Sequence, residues 1–446
     1  MNTPIVDFVK KYAESNSLRL HMPGHKGNEL LGCEKYDITE IDGADVLYSA
    51  DGIIAESQEN ATKLFDTKAT FYSTEGSSLC IRAMLYLVKC YALQNGKKPL
   101  VFAGRNAHKT FVTAAALLDI DVNWMLPQST KTIISCVITA DFLDEALKGA
   151  KEKPVAVYIT SPDYLGCMSD IAALSKVCRK HGVLLIVDNA HGAYLKFLPE
   201  DIHPITLGAD MCCDSAHKTL PVLTGGAYLH IGRLAAEFFI NNAKSALSLF
   251  ASTSPSYLIL QSLDTANQYI YDGYCQNLKD FTDCVAQLKE ALKKQGHTLY
   301  GEEPLKVTIA TKAYGYTGTE FAELLASKNI ICEFSDPDFI VFMFTPQVGE
   351  EGVECLRAEL TKIKPKEAIK RQLPTLATKE QRLTLNKALF STSETLPIDY
   401  CLGKISASTH VSCPPAIPIV LPGEIIDQNA IECFKYYKIT EWEVTK

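Results

Sequence analysis

Between about residue 99 and residue 231 the chain repeats one pattern, a short continuous apolar run followed by a stretch with helical spacing. The runs are PLVFAG, PVAVYIT, GVLLIVDNA, ADMCCDSA and GGAYLHI. An apolar run without polar alternation reads as a strand buried on both faces, and the helices between such strands cover it. The chain is therefore expected to be α/β, with a mostly parallel central sheet in a large domain. In sheets of this kind the chemistry gathers beyond the carboxyl ends of the strands. Two charged residues fall there: Asp188 after VLLIV and Lys218 after MCCDSAH. The segment DIAALSKVCRKHG predicts one covering helix, with Asp170 as N-cap and Gly182 just past its end.

Further on the order changes. LKVTIA, TGTEFAELLASKN, IICEF, FIVFMFTP and GVECLRAELTKI read as strand, helix, two strands and helix, which is a small α+β layer on its own sheet. Residues 51–295 are expected to form the large domain and 296–446 the smaller C-terminal α+β domain, preceded by a segment over 1–50. A chain of 446 residues is long enough for two or three such units.

The net charge of −8 argues against a general affinity for nucleic acid or anionic membranes, so a small-molecule ligand is the expectation. The amino terminus, MNTPIVDFVKKYAESNSLRL, has no apolar core of signal-peptide length, and no stretch approaches the ~18 apolar residues of a membrane span. A cytoplasmic protein is expected. Its fifteen cysteines are odd in number and scattered, without the paired spacing of a zinc site, and read as free thiols. No metal is expected.

Lys218 is either a solvated strand-end lysine or a nucleophile held in a pocket. A buried lysine with a depressed pKa captures carbonyls as a Schiff base, and pyridoxal 5′-phosphate is the cofactor most often held this way. That cofactor makes further demands on the chain. Its phosphate needs amides and hydroxyls at a helix start, which Gly76, Ser77 and Ser78 of STEGSS supply; an ordinary helix cap would look the same. The ring nitrogen needs a carboxylate, for which Asp188 is placed, although strand-end aspartates also cap turns. A flat partner for the ring is available in His108 of GRNAHKTF, with His191 of DNAHG on the other side of Asp188; either is equally a satisfied structural histidine. Ser215 and His217 flank Lys218 with a hydroxyl and an imidazole. Each feature is weak alone, and it is their joint order along the chain that carries weight.

These residues resemble the fold type I, pyridoxal-phosphate-dependent ornithine/lysine/arginine decarboxylases. The likeness runs through HMPGHKG, DITEIDGADVLYSADGII, STEGSS, RNAHKTF, TSPDYLG, DNAHGAY, SAHKTL, TSPSYLILQSLD and CPPAIPIVLPGE, nearly the whole chain. It implies that Lys218 carries the cofactor as a Schiff base, Asp188 pairs with the ring nitrogen and His108 stacks on the ring. It further implies that Ser77, Ser78, Ser215 and His217 surround the phosphate. The segment 252–254, including Thr253, is implied to complete the partner subunit's site in a homodimer, and His25 of the segment 1–50 to contact substrate. The chain looks like the short form that lacks a response-regulator-like domain. It departs from relatives at Asn189, where they often have Glu, and at Cys413 and Ala416, where they often have an aromatic residue and Gly.

The resemblance implies decarboxylation of arginine, lysine or ornithine to agmatine, cadaverine or putrescine, a step of polyamine biosynthesis. A proton would return to Cα from Lys218 or His217. A cationic substrate end needs an acidic partner, and Glu333, with Asp336 behind it, is the candidate, although loop carboxylates are usually solvated. An aminotransferase or aldolase on the same scaffold is the alternative, and a noncatalytic relative a more distant one. Aminotransferases of this fold hold the substrate carboxylate with an arginine; Arg357, Arg371 and Arg382 lie without a matching motif.

Overall fold

The computed structural model describes all residues except 128–131, 371–373, 375–378 and 410–415. In chain order the strands of the sheets that position the site are β1 (Ala69–Ser73), β2 (Leu100–Gly104), β3 (Asp121–Met125), β4 (Ala156–Thr160), β5 (Leu184–Asp188), β6 (Met211–Asp214) and β7 (Ala227–Ile231). They are followed by β8 (Thr298–Tyr300), β9 (Lys306–Ala310), β10 (Phe334–Ser335), β11 (Phe339–Met343), β12 (Ser393–Pro397) and β13 (Glu441–Thr445). The chain divides into two compact units, neither continuous in sequence. One combines Met1–Lys97 with Ile171–Asn277, the other Lys98–Asp170 with Leu278–Lys446.

In the first unit the strands run in the order β1, β7, β6, β5. β5 and β6 are parallel, whereas β7 is antiparallel to both β6 and β1. The expectation of a mostly parallel sheet holds, and the reversal at β7 has a simple cause. Only residues 215–226 join β6 to β7, and they hold one short helix, Ala216–Thr219; a parallel return needs a longer crossover. The register sets Asp188 beside Cys213 and Asp214 beside Tyr228. Every residue of β6 and β7 is buried, as continuous apolar runs require. The helix Ile171–His181 covers this unit and ends at Gly182, whose φ of +62° is the left-handed conformation that stops a helix cheaply. Around Phe65 pack the rings of Phe197, Tyr228, His203 and His230, at 4.5–5.7 Å between centroids.

In the second unit β2 is parallel to both β3 and β4. A four-stranded sheet in the order β10, β11, β9, β8 is antiparallel throughout. The helix Gly318–Ala326 crosses onto it with a capping box between Thr317 and Glu320. A β-carbon at Gly318 would lie 1.9 Å from the Phe339 carbonyl, so only glycine permits that approach. The ribbon β12–β13 places Trp442 flat on Phe434, 4.4 Å between centroids. IICEF contributes less strand than expected: Ile331 is solvent-exposed, and only Phe334 and Ser335 join the ladder. The fourteen cysteines among the described residues are free thiols. No helix among those residues is long and apolar enough to cross a membrane.

Candidate active site

Lys218 sits in the helix Ala216–Thr219, which starts directly beyond the end of β6. Its Nζ lies 3.1 Å from His191 Nε2, so the ammonium donates to the imidazole. His191 belongs to the tight turn that follows β5, and β5 ends in Asp188, which is buried. Asp188 Oδ1 accepts from the Ala190 amide at 3.2 Å and from Cys213 Sγ at 3.7 Å. Burial pushes the Cys213 thiol well up, which keeps it protonated as that donor. Two parallel strands thus deliver a carboxylate and a lysine to one sheet edge.

On the same unit, β1 leads into the helix Gly76–Gln94, with Ser77 and Ser78 in its first turn. Gly76 has φ +69°, with open space where a β-carbon would be, so its role is conformational. Its amide is taken by the Gly225 carbonyl at 2.7 Å. Gly225 is itself constrained, since a β-carbon there would meet the Thr74 carbonyl at 2.7 Å. The Ser215 hydroxyl donates to Ser77 Oγ at 2.8 Å. Helix start, serine pair and Lys218 helix are therefore tied together, and the helix dipole at Ser77 and Ser78 favours an anion.

His217 is fixed by Nδ1, which donates to the Gly226 carbonyl at 3.0 Å and leaves Nε2 with the lone pair. Burial holds its pKa below the usual imidazole range, and the neighbouring Lys218 charge adds to this. Residues 252–254 are exposed and lie against the same loop, with the Ser252 amide donating to Glu75 Oε1 at 2.7 Å; Thr253 is in the middle of this segment. His25 is held within the amino-terminal segment, its Nδ1 accepting from the Gly27 amide at 3.0 Å and its Nε2 3.3 Å from Asp37.

The second unit carries His108 and Glu333. His108 is the N-cap of the helix Lys109–Leu117, its Nδ1 accepting from the Thr110 amide at 3.1 Å. This is the structural role open to a lone histidine, and it fixes the plane of the ring. Glu333 Oε1 accepts from the Tyr164 hydroxyl at 2.6 Å and lines a cavity of about 1050 Å³ together with Asp336. Burial pushes the Asp336 carboxyl up to about 6. Arg357 is exposed and paired with Glu354 on its own helix, and Arg382 with Glu380. Arg371 and Cys413 lie outside the described residues.

Two sets of residues were missed in the sequence. Arg105, just beyond β2, is buried; it donates to the carbonyls of Pro418 at 2.8 Å and Ile419 at 3.1 Å and pairs with buried Glu424 at 3.3 Å. The Lys109 amide donates to the Ala416 carbonyl at 2.8 Å. Residues 416–419 thereby hold the chain on both sides of His108, at Arg105 and at Lys109. Ala416 holds φ +56°, the left-handed region that glycine occupies without strain. The second set, Asn189 with Asp214, His203 and His230, lies behind Asp188.

The family model described as Orn/Lys/Arg decarboxylase, major domain, matches residues 3–300, and the model of the family's C-terminal domain matches 364–445. The chain belongs to the Orn/Lys/Arg decarboxylase family. It is thus an amino-acid decarboxylase, a lyase, of a family whose cofactor is pyridoxal 5′-phosphate. An arginine decarboxylase of Bacillus subtilis (strain 168) is 28% identical, over 96% of this chain and 92% of that one. The constitutive lysine decarboxylase of Escherichia coli (strain K12) is 20% identical, over 96% and 76%. Among solved structures, the lysine decarboxylase of Francisella novicida superposes with a TM-score of 0.79 at 16% identity, covering 100% of this chain and 81% of that one. Lysine decarboxylase A of Pseudomonas aeruginosa gives 0.79 at 15%, covering 98% and 76%. Cysteine desulfurase from Thermococcus onnurineus NA1 gives 0.56 at 14%, covering 81% and 91%. This decarboxylase accordingly has the fold type I architecture, with a mostly parallel sheet and a C-terminal α+β part.

The cofactor requirement fits the residues present. A helix start with two hydroxyls, tied to Ser215, suits a phosphate; a buried carboxylate at a strand end suits a protonated ring nitrogen; and Lys218, just beyond the neighbouring strand, meets His191 of the turn that follows that carboxylate.

Proposed function

We propose that the chain decarboxylates L-arginine, or failing that L-lysine, to the corresponding amine, with pyridoxal 5′-phosphate attached through Lys218 Nζ. The observation that carries this reading is the shared edge of β5 and β6, where buried Asp188 stands beside Cys213 and Lys218 Nζ lies 3.1 Å from His191 Nε2. The decarboxylases named after arginine among the relatives support the substrate.

When bound, the cofactor supplies an electron sink for the bond between Cα and the departing carboxylate. The protein's part is binding, orientation and proton management. Ser77, Ser78 and Ser215 would hold the phosphate, Asp188 would keep the proton on the ring nitrogen, and His108, whose plane the Thr110 amide sets, would serve as the flat partner of the ring. His191 accepts from the Lys218 ammonium and so offers a place for the proton that Nζ must lose to act as a nucleophile. His217, whose pKa burial depresses, would move a proton at Nε2, and it or Lys218 would return one to Cα. Glu333 receives the cationic end of the substrate, with Asp336 behind it. Thr253 reaches the partner subunit's site in a cytoplasmic homodimer, and the product amine feeds polyamine biosynthesis.

Transamination is disfavoured by the pairing of Arg357 and Arg382 with glutamates near in sequence. Purified protein incubated with the cofactor and each of arginine, lysine and ornithine tests the proposal by identification of the amine and of CO2. Keto-acid formation without CO2 would refute it.

A further inference from the structure

Behind Asp188 lies a buried cluster that the chemistry above does not use. Asp214, the last residue of β6, has no solvent exposure, and neither have His203 and His230. Asp214 Oδ2 lies 2.9 Å from His203 Nε2 and 3.2 Å from His230 Nε2. Its Oδ1 accepts from Asn189 Nδ2 at 2.7 Å and, at 4.0 Å, from Cys212 Sγ. Burial pushes this carboxyl up, but the two imidazoles and their hydrogen bonds outweigh it and hold Asp214 well below the usual carboxylate range.

The three groups lie within 4.8 Å of one another, close enough to share a metal ion. The hydrogen bonds assign them otherwise. His203 Nδ1 accepts from the Ile205 amide at 3.3 Å, so the ring proton is on Nε2 and points at Asp214. A metal ligand would need a lone pair at that atom. His203 is therefore a donor to an anion. His230 Nδ1 is occupied by Thr70 Oγ1 at 2.8 Å.

An ionised carboxylate has no donor, so Asn189 must turn its Nδ2 toward it, and its amide orientation is fixed. The backbone of Asn189 is held as well: its amide donates to Cys213 O at 3.0 Å and its carbonyl accepts from the Gly192 amide at 2.8 Å. The side chain fills the inside of this turn, since a β-carbon at Gly192 would fall 2.1 Å from Asn189 Oδ1. The turn from Asp188 to Gly192 is what carries Asp188 and His191, and His191 meets Lys218.

We propose that Asp214 is a positioning residue of this enzyme, a buried anion clamped by His203 and His230 that fixes Asn189 and through it sets the Asp188–Gly192 turn. The inference rests on the reading of Asp188 and Lys218 as cofactor residues for its consequence, but the fixing of the turn is measurable without cofactor.

The test is a charge exchange. In Asp214→Asn the new amide must offer Oδ1 to both imidazole N–H groups, which turns its Nδ2 toward Asn189; the result is either donor against donor or an Asn189 amide turned over, with its Nδ2 brought against Gly192 inside the turn. In Asn189→Asp two carboxylates meet at the distance of a hydrogen bond. The double variant restores both matches, with Asn at 214 donating to Asp at 189. Hydrogen exchange of the cofactor-free proteins should show the amides of residues 189–192 exchanging at least tenfold faster in each single variant and returning to within about threefold of wild type in the double. The dissociation constant for pyridoxal 5′-phosphate should follow the same order. Single variants that fail to fold while the double variant folds would support the proposal equally. Unchanged exchange across the turn in folded Asp214→Asn, or a double variant no better than the singles, would overturn it. Wild-type protein that takes up no cofactor refutes the cofactor reading, and the exchange result stands apart from it.

Discussion

Replacing Arg105 by Met keeps much of its volume and removes its charge and its donors. Three hydrogen bonds are lost, to the carbonyls of Pro418 and Ile419 and to the Glu424 carboxylate. Glu424 stays buried, with Oε2 keeping only the Leu421 amide at 2.7 Å of the partners described. Breaking a buried ion pair from one side costs about 3–5 kcal/mol, because the partner charge is stranded. The second unit, Lys98–Asp170 with Leu278–Lys446, falls in the size range where each kcal/mol moves a melting temperature by about 2–4 °C. Its transition is therefore expected to fall by about 6–20 °C. Glu424→Gln should cost less, about 1–3 kcal/mol, since an amide oxygen can still accept from Leu421. The decisive comparison is the double variant Arg105→Met/Glu424→Gln, in which no charge is stranded; it should be more stable than the sum of the two single losses allows, by about 1 kcal/mol or more. Calorimetry on the four proteins supplies the cycle. Additive losses would refute the clamp, as would an Arg105→Met protein that melts like wild type. With His108 in the role proposed for it, and residues 416–419 holding the chain on both sides of it, Arg105→Met should also weaken cofactor binding at temperatures where the protein remains folded.

Lys218→Ala should abolish turnover and the borohydride-bleachable visible absorbance while leaving some cofactor bound through its phosphate. Asp188→Ala should lower kcat by several powers of ten, each about 1.4 kcal/mol, and near-normal activity in either variant would sink the assigned roles. Gly225→Ala should raise the cofactor dissociation constant more than Gly76→Ala, because a β-carbon at Gly225 meets the Thr74 carbonyl whereas Gly76 faces open space; equilibrium dialysis giving the reverse order would refute this reading of the loop. Asp264 is buried, and burial pushes its carboxyl from 3.8 up to about 6 against the hydrogen bonds from Ser57, Val6 and Ile5. A folded-state pKa above the unfolded one means stability that is complete below about pH 4 and lost as pH rises through about 6, amounting to about 3 kcal/mol at most. Between those pH values the wild-type melting temperature should fall by several degrees relative to Asp264→Asn, and parallel profiles would count against it.

Much of the architecture could be read from apolar continuity. PLVFAG, PVAVYIT, VLLIVD and MCCD each became a buried strand, since a run that is apolar on both faces has no stable place except inside a covered sheet. β1 and β3 went unread because ATFYS and DVNWM mix polar with apolar residues and carry no period of their own. The places of Asp188, Lys218 and Gly76 at element ends were legible because local sequence determines where a strand or helix stops. The Arg105–Glu424 pair was not, since the partners are 319 residues apart and neither has a local signature. Asn189 stands in the sequence only as a departure from relatives; its hydrogen bond to Asp214, 25 residues on, depends on the pairing of β5 with β6.

The interleaving of the two units has a consequence for how the protein is made. β1 pairs with β7, so a strand completed at residue 73 waits for residue 231, and the whole of 98–170 is synthesised in between. At about 5–20 residues per second that interval lasts roughly ten seconds or more, during which apolar strands have emerged without their neighbours. The second unit waits longer, because it includes Leu278–Lys446. The first unit can close only once Asn277 has emerged, and until then the apolar strands of 98–170 stay without the part of their own unit that lies beyond Leu278, the kind of exposed surface that chaperones shield.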